Sequence, residues 1–94
     1  MKSVWKFKLE PGHEVQAVEM PKGAEMLTAR EQGKEVCVWA MVDPKAHKIT
    51  RYFEAIGTGW NVPERNRKYV GTAHLEGGAL VFHVFELSWS LGDP

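Results

Sequence analysis

Hydrophobic and polar residues alternate along most of this chain, with the period of two that is typical of β-strands whose two faces meet different surroundings. Residues 3–9 show this pattern most clearly. We expect Trp5, Phe7 and Leu9 to face the core and the residues between them to face water. Turns that contain proline or glycine separate seven such segments. The predicted strands are residues 3–9, 14–20, 24–31, 36–42, 48–56, 69–76 and 79–88.

Together these segments predict an all-β fold. Residues 24–31 contain helix-favouring Ala, Glu, Met and Leu, but the short turn at residues 32–34 and the strongly β-forming run after it favour a hairpin. Short strands with tight turns are typical of a small antiparallel sandwich or barrel, here of about six to seven strands built from hairpins. We therefore expect one β domain over residues 1–88 and a C-terminal tail at residues 89–94, with consecutive strands paired.

The last two segments predict a register and a position in the sheet. Gly77 and Gly78 can take the positive φ angles of a tight turn, and a turn centred on them places Thr72 opposite His83. Residues 79–88 are apolar on both faces, which is typical of a central strand covered on both sides. Either loops or a second copy of the chain must cover the outer face. We expect a homodimer or a higher homo-oligomer, because exposed apolar patches usually mark interfaces.

Composition adds limits on the class of protein. The chain has 94 residues, of which 44% are hydrophobic and 26% charged, as in ordinary soluble globular domains. Its 12 basic and 12 acidic side chains cancel, and general nucleic-acid binding needs an excess of positive charge, so we do not expect it. No run approaches the roughly 20 apolar residues of a membrane span, and no signal peptide opens the chain. We therefore expect a cytoplasmic protein without membrane contact.

Motifs for catalysis or metal binding are not visible, so we expect a protein that is not an enzyme and needs no cofactor. Cys37 and Trp39 lie in one apolar run and are expected to be core residues. His74 and His83 share a face of the last hairpin, but zinc needs at least three protein ligands and no third is evident. Core histidines that are hydrogen-bonded to a backbone carbonyl are commoner, so we expect these rather than a metal site.

The best candidate site follows the fifth predicted strand. Its two glycines flank a threonine and let backbone N–H groups approach an anion. Trp60 offers a stacking surface, Asn61 can donate and accept hydrogen bonds, and Arg51 on the preceding strand adds a positive charge. The alternative is a structural turn in which Trp60 covers the core. The candidate ligand-binding residues are Arg51, Gly57, Thr58, Gly59, Trp60 and Asn61.

Six short motifs resemble those of a known family. They are Val-Trp-Lys-Phe, Glu-Met-Pro-Lys-Gly-Ala, Val-Trp-Ala-Met-Val-Asp-Pro, Ile-Gly-Thr-Gly, Tyr-Val-Gly-Thr and Gly-Gly-Ala-Leu-Val-Phe-His-Val-Phe-Glu, at residues 4–7, 19–24, 38–44, 56–59, 69–72 and 77–86. Together they resemble a family of short uncharacterised proteins of phages, prophages and bacteria, a domain of unknown function. A histidine usually follows the Gly-Thr-Gly in that family. This chain has Trp60 there, so no role of that histidine carries over.

The resemblance implies a small phage-associated accessory protein, and such proteins often block host proteins or sequester host defence signals, commonly nucleotides. Our first hypothesis is a non-enzymatic, oligomeric protein that sequesters a small anionic, nucleotide-like ligand. Its site would comprise Arg51 and residues 57–61, with Arg65 or Arg67 nearby. The second hypothesis is a protein–protein inhibitor or assembly adaptor that acts through an apolar sheet face or an edge strand.

Overall fold

A computed structural model of the chain describes residues 1–12 and 15–88, and its regular structure is almost entirely β. All seven predicted strands are confirmed, with ends shifted by a residue or two. The predicted start of the second strand, at residue 14, and the predicted tail at residues 89–94 lie outside the described residues. The strands are β1 (Ser3–Leu9), β2 (Gln16–Pro21), β3 (Glu25–Gln32), β4 (Glu35–Val42), β5 (Lys48–Gly57), β6 (Arg67–Leu75) and β7 (Leu80–Leu87).

The strands form two antiparallel sheets, one of three strands in the order β1-β4-β3 and one of four strands in the order β2-β5-β7-β6. Inward side chains from both sheets form a single core, so the fold is a sandwich, one of the two architectures predicted. No helix among the described residues is long and apolar enough to cross a membrane. The largest fully buried side chains are those of Phe53, Leu9, Met20, Val36, Val38, Val42, Val84, Pro21 and Cys37.

The prediction that consecutive strands pair throughout is wrong. Only β3–β4 and β6–β7 are hairpins of consecutive strands, whereas β1 pairs with β4, β2 with β5, and β5 with β7. One sheet of consecutive strands would leave a whole apolar face in water. Two facing sheets bury that surface, and the chain therefore crosses from one sheet to the other after β1, β2 and β4.

The two sheets approach each other at the edge where β3 meets β6. A side chain at Gly71 of β6 would collide with the backbone nitrogen and oxygen of Ala29 in β3, so the strands approach closely only because this residue is glycine. The backbone N–H of His74 donates to the carboxylate of Glu31 across the same edge, at 2.8 Å. Each of the two strands also has a β-bulge near this contact, which bends it locally.

The predicted register of the last hairpin is confirmed, because Thr72 lies opposite His83 and His74 lies opposite Val81. β7 is also an inner strand of its sheet, as the sequence predicts, with β5 on one side and β6 on the other. Phe82 and Val84 are buried in the core, whereas Val81, His83 and Phe85 on the other face are only half-buried. The connection between β5 and β6 packs on part of this outer face, and the rest stays open in the single chain.

The core prediction for Trp39 is wrong. Trp39 lies half-buried on the outer face of the three-stranded sheet, opposite Lys6 on one side and Thr28 on the other. Apolar residues alternate on both faces of β4, so sequence periodicity alone gives no preference between the two sides. Cys37 shares this outer face and is fully buried, as predicted, and its burial raises the pKa of the thiol.

Candidate functional site

The turn after β5 explains both glycines of the Gly-Thr-Gly motif. The N–H of Trp60 donates to the carbonyl of Gly57 at 3.1 Å, and Gly59 has a φ of +88°, which is the pattern of a type II turn. A side chain at Gly57 would collide with the indole ring of Trp60. The turn thus needs glycine at both positions, and it places Trp60 against the end of the four-stranded sheet.

Trp60 combines packing with exposure. Its ring lies edge-on to Phe82, with ring centres 5.9 Å apart, so it covers the end of the core as the structural alternative requires. Yet 49% of the residue remains exposed to solvent. An indole that is held in place on one side and open on the other is suited to stack on a planar ligand.

Two of the backbone N–H groups that the sequence predicts to be available to an anion already donate hydrogen bonds within the protein. Thr58 donates its N–H to the carbonyl of Val81 at 3.2 Å, and Trp60 donates to Gly57. These amides close the turn and extend the sheet. These two amides are therefore not available to an anion at residues 57–61, whereas the side chains of Thr58, Trp60 and Asn61 are exposed.

A chain of polar side chains runs across the outer face of the four-stranded sheet and ends at this turn. The Oγ1 atom of Thr58 lies 2.8 Å from Nε2 of His83. Nδ1 of the same imidazole lies 3.4 Å from Oγ1 of Thr72, and that hydroxyl is 2.5 Å from the phenolic oxygen of Tyr69. The chain links β5, β7 and β6, and its exposed ends are Thr58 and Tyr69.

Charged side chains cluster where the connection between β5 and β6 packs against β5. Glu54 is buried, and its carboxylate accepts a hydrogen bond from Nε of Arg67 at 2.9 Å and lies 3.8 Å from Nη1 of Arg65. Arg67 also donates to the carbonyl of Pro63 at 2.7 Å, and its guanidinium lies 5.7 Å from the ring centre of Phe85. Two arginines thus lie beside one buried carboxylate.

Trp60 lines two hollows at this end of the sandwich. One, of about 290 Å³, also contains charged and amide side chains, and the other, of about 340 Å³, is mostly apolar. Both volumes are near the lower end of the range for small-molecule sites. The first is lined by Gly12, Glu54, Ala55, Ile56, Trp60, Asn61, Pro63 and Arg65. The second is lined by Gly57, Thr58, Trp60, Ala79, Leu80, Val81 and Phe82.

The structure does not bring Arg51 to the other candidate residues. Arg51 precedes Gly57 on β5 by six positions, which is about 20 Å along a strand. Its Nε and Nη2 atoms donate to the carboxylate of Glu86 at 2.5 and 2.9 Å, and Nη1 donates to the carbonyl of Ala24 at 2.7 Å. The bonds to Glu86 link β5 to β7 within the four-stranded sheet, and the bond to Ala24 reaches the residue before β3 of the other sheet. A separate crevice of about 370 Å³ lies beside them. Arg51 therefore holds parts of the fold together at a different place, whereas residues 57–61 lie together in one turn.

Sequence reasoning overlooked several residues of this region. It placed Thr72 opposite His83 but did not foresee that Thr58 would reach the same imidazole, because the pairing of β5 with β7 gives no local signal. Nor did it anticipate the buried carboxylate of Glu54, which occurs in an ordinary alternating strand. Among the described residues, no three His, Cys, Asp or Glu side chains lie close enough to hold a metal ion.

A protein-family model for a domain of unknown function, DUF7352, matches residues 1–90. The chain belongs to this family. Comparison with curated proteins and with solved structures gave no match. In this DUF7352 member, three of the six motifs described above supply the polar chain, because Thr58, His83 and the Tyr69–Thr72 pair come from different motifs. Segments far apart in sequence therefore converge beside the 57–61 turn.

Proposed function

We propose that this DUF7352 protein is a non-enzymatic binding protein that sequesters a small anionic, nucleotide-like ligand at residues 57–61. The observation that carries the proposal is the half-exposed indole of Trp60, which borders a hollow that also contains Arg65. A base can stack on an indole, and an arginine can hold a phosphate. The ligand residues proposed are Thr58, Trp60, Asn61 and Arg65.

Charge supports an anionic ligand more than a neutral one. Two guanidinium groups, those of Arg65 and Arg67, lie beside the carboxylate of Glu54. Because the side chain of Glu54 is 5% exposed and that of Arg65 is 22% exposed, a ligand in the hollow would contact the guanidinium more readily than the carboxylate.

The biological setting is part of the proposal. The resemblance described from the motifs suggests a phage-type accessory protein that acts in the host cytoplasm and removes a defence signal from solution. Sequestration needs affinity without turnover, and stacking on Trp60 together with hydrogen bonds at residues 57–61 would supply such affinity. No covalent change of the ligand is proposed.

A nucleotide screen tests the proposal directly. Linear nucleotides, cyclic mononucleotides and cyclic dinucleotides are added singly, and the melting temperature is followed, with calorimetry for each compound that raises it. Trp60→Ala is expected to weaken binding about tenfold or more, because stacking on an aromatic side chain contributes about 1–3 kcal/mol per base. Trp39→Ala is the matched control, since that tryptophan lies half-buried on the other sheet.

The outcomes of this screen distinguish support for the proposal from a wrong ligand class and from a wrong site. Binding that is weakened by Trp60→Ala and by Arg65→Ala, and left unchanged by Trp39→Ala, supports the proposal. If no nucleotide in the panel raises the melting temperature at millimolar concentration, the ligand class is wrong. If a nucleotide binds but Trp60→Ala leaves its affinity intact, the site is wrong.

We also propose that the chain forms a homodimer or a higher homo-oligomer through the outer face of the four-stranded sheet. Val81, His83 and Phe85 lie on this face half-buried, and Tyr69 beside them is 58% exposed. Analytical ultracentrifugation of the chain and of Val81→Glu tests this idea. The expected result is a concentration-dependent oligomer that Val81→Glu dissociates, and a monomer for both proteins at high concentration would overturn it.

The same open face favours a second candidate function, a protein–protein inhibitor or assembly adaptor. Such a partner would bind the apolar strip on β7 instead of residues 57–61. Binding of a host protein would then be lost in Tyr69→Glu and Phe85→Glu but retained in Trp60→Ala. Loss of binding in Trp60→Ala alone would contradict the adaptor function as described.

A further inference from the structure

The four polar side chains on the outer face have hydrogen-bonding roles that depend on one another. Each hydroxyl has one proton to donate, and a neutral imidazole has one N–H and one acceptor nitrogen. The chain Tyr69–Thr72–His83–Thr58 therefore has two consistent directions. Either every donor points toward Thr58, or every donor points toward Tyr69.

The two directions leave different groups at the exposed end of the 57–61 turn. If Nε2 of His83 carries the proton, it donates to Oγ1 of Thr58, and the hydroxyl proton of Thr58 is free to donate outward. If Nδ1 carries the proton, Nε2 accepts from Thr58, and only lone pairs of that hydroxyl remain for a ligand. An anion needs the first arrangement, because it can only accept.

We infer that His83 is a positioning residue that holds the hydroxyl of Thr58 as an outward hydrogen-bond donor to the anionic ligand. The geometry points to this role because Nε2 of His83 lies 2.8 Å from Oγ1 of Thr58, and because the phenol of Tyr69 at the far end is more acidic than the hydroxyl of Thr72 and is therefore the better donor of that pair. The inference rests on the proposed function of the 57–61 turn. It gives the hydroxyl of Thr58 the role of a specificity-determining donor and explains how an anion is bound where the amides of Thr58 and Trp60 are already engaged.

The hydroxyl of Thr58 becomes a stronger donor when all the hydrogen bonds among these four side chains point toward it. Donors that point the same way polarise one another, so Thr58 is a better donor when His83 donates to it and Thr72 donates to His83. Tyr69 lies at the far end and donates to Thr72 in this arrangement. Its hydroxyl contributes to binding without contact with the ligand.

The affinity test uses the full chain and the nucleotide that binds best in the screen described above. Thr58→Val and His83→Phe are each expected to weaken binding about tenfold, as for loss of a hydrogen bond to a charged group. The double variant should also bind about tenfold more weakly than the unsubstituted chain, with no additional loss, because the two residues act through one donor. His74→Phe is the matched control, as an exposed histidine on the same face that is outside the chain of bonds.

His83→Gln provides the rescue. The amide nitrogen of glutamine can occupy the place of Nε2 and donate to Thr58, so binding should return to within about threefold of the unsubstituted chain. Tyr69→Phe, which removes only an exposed hydroxyl, should weaken binding about twofold. If His83→Phe folds and binds normally, or if its effect adds to that of Thr58→Val, the inference is overturned.

A ligand-free measurement separates failure of this inference from failure of the proposed function. Nitrogen-15 NMR of the imidazole side chains reports which nitrogen of His83 is protonated in the neutral ring. The Nε2–H form is expected, and the Nδ1–H form would overturn the inference even if a nucleotide binds. If His83 has the Nε2–H form and no nucleotide binds, the proposed ligand class fails and the donor at Thr58 still stands.

Discussion

At the scale of single residues, several side chains in this protein owe their position to a partner in a distant strand. Glu54 is buried because Arg65 reaches it from the connection before β6 and Arg67 reaches it from the first position of β6. A charged carboxylate would be costly to bury alone, and its two guanidinium partners offset that cost. The same contacts hold the connection against the sheet, so this residue links stability to the shape of the hollow beside Trp60.

Replacement of Glu54 by Gln should therefore lower stability. The amide keeps the size of the side chain but removes the charge between two arginines, and we expect a loss of about 2 kcal/mol in the free energy of unfolding. Urea denaturation at neutral pH measures this change. Glu64→Gln is the control, because Glu64 is exposed and the change there should cost less than about 0.5 kcal/mol. Equal losses in the two variants would contradict the role given to Glu54.

At the scale of strands, the local sequence pattern predicts where the strands lie, but it does not predict which distant strands pair. All seven strands and the register of the β6–β7 hairpin follow from alternation and from the Gly77-Gly78 turn. The pairing of β1 with β4 and of β5 with β7 does not, because any two alternating strands can pair. Trp39 was assigned to the core for the same reason, since β4 is apolar on both faces. The turn at residues 57–61 was recognised, but its link to His83 depends on an unpredicted strand pair.

The contact between β3 and β6 should be sensitive to a single methyl group. Gly71→Ala would place its Cβ against the backbone of Ala29, which cannot move aside as a flexible side chain can. We expect a loss of about 3 kcal/mol in the free energy of unfolding. Gly77→Ala provides the comparison, because that glycine has open space around it and only its φ of +65° opposes the change. It should cost about 1 kcal/mol. A milder effect at Gly71 than at Gly77 would contradict the close approach of these strands.

The same edge should also respond to acid through Glu31. The backbone N–H of His74 donates to this carboxylate and holds the pKa of Glu31 below its ordinary value of 4.5. A group with a lowered pKa in the folded state stabilises the fold above its unfolded pKa, and this contribution is lost as the pH falls through the folded value. Glu31→Gln should therefore be less stable than the original chain near neutral pH, and the difference should shrink in acid.

Urea denaturation at several pH values measures that difference. Glu25→Gln serves as the control, because Glu25 is an exposed carboxylate on the same strand. A difference between the chain and Glu31→Gln that stays constant from neutral pH to well below the ordinary value would show that the bond to His74 does not stabilise the edge.

At the scale of the whole molecule, the sandwich holds the bonds of Arg51 and the proposed binding turn at separate places. Arg51 bonds to Glu86 of the same sheet and to Ala24 before β3 at one crevice, while the 57–61 turn with Trp60 lies about 20 Å farther along β5. Membership of the DUF7352 family supplies no activity, so the distinction between these two places rests on geometry. The sequence grouped Arg51 with the turn because both lie in one strand and loop, and only the fold separates them.

The most direct test of ligand binding at the turn is an NMR titration of the nitrogen-15-labelled chain with the nucleotides of the screen. The signals of the amides of Thr58, Gly59 and Asn61 and of the indole N–H of Trp60 should shift first and furthest, and they should saturate together. Shifts confined to the crevice around Arg51, or no shift with any nucleotide, would contradict a binding site at this turn.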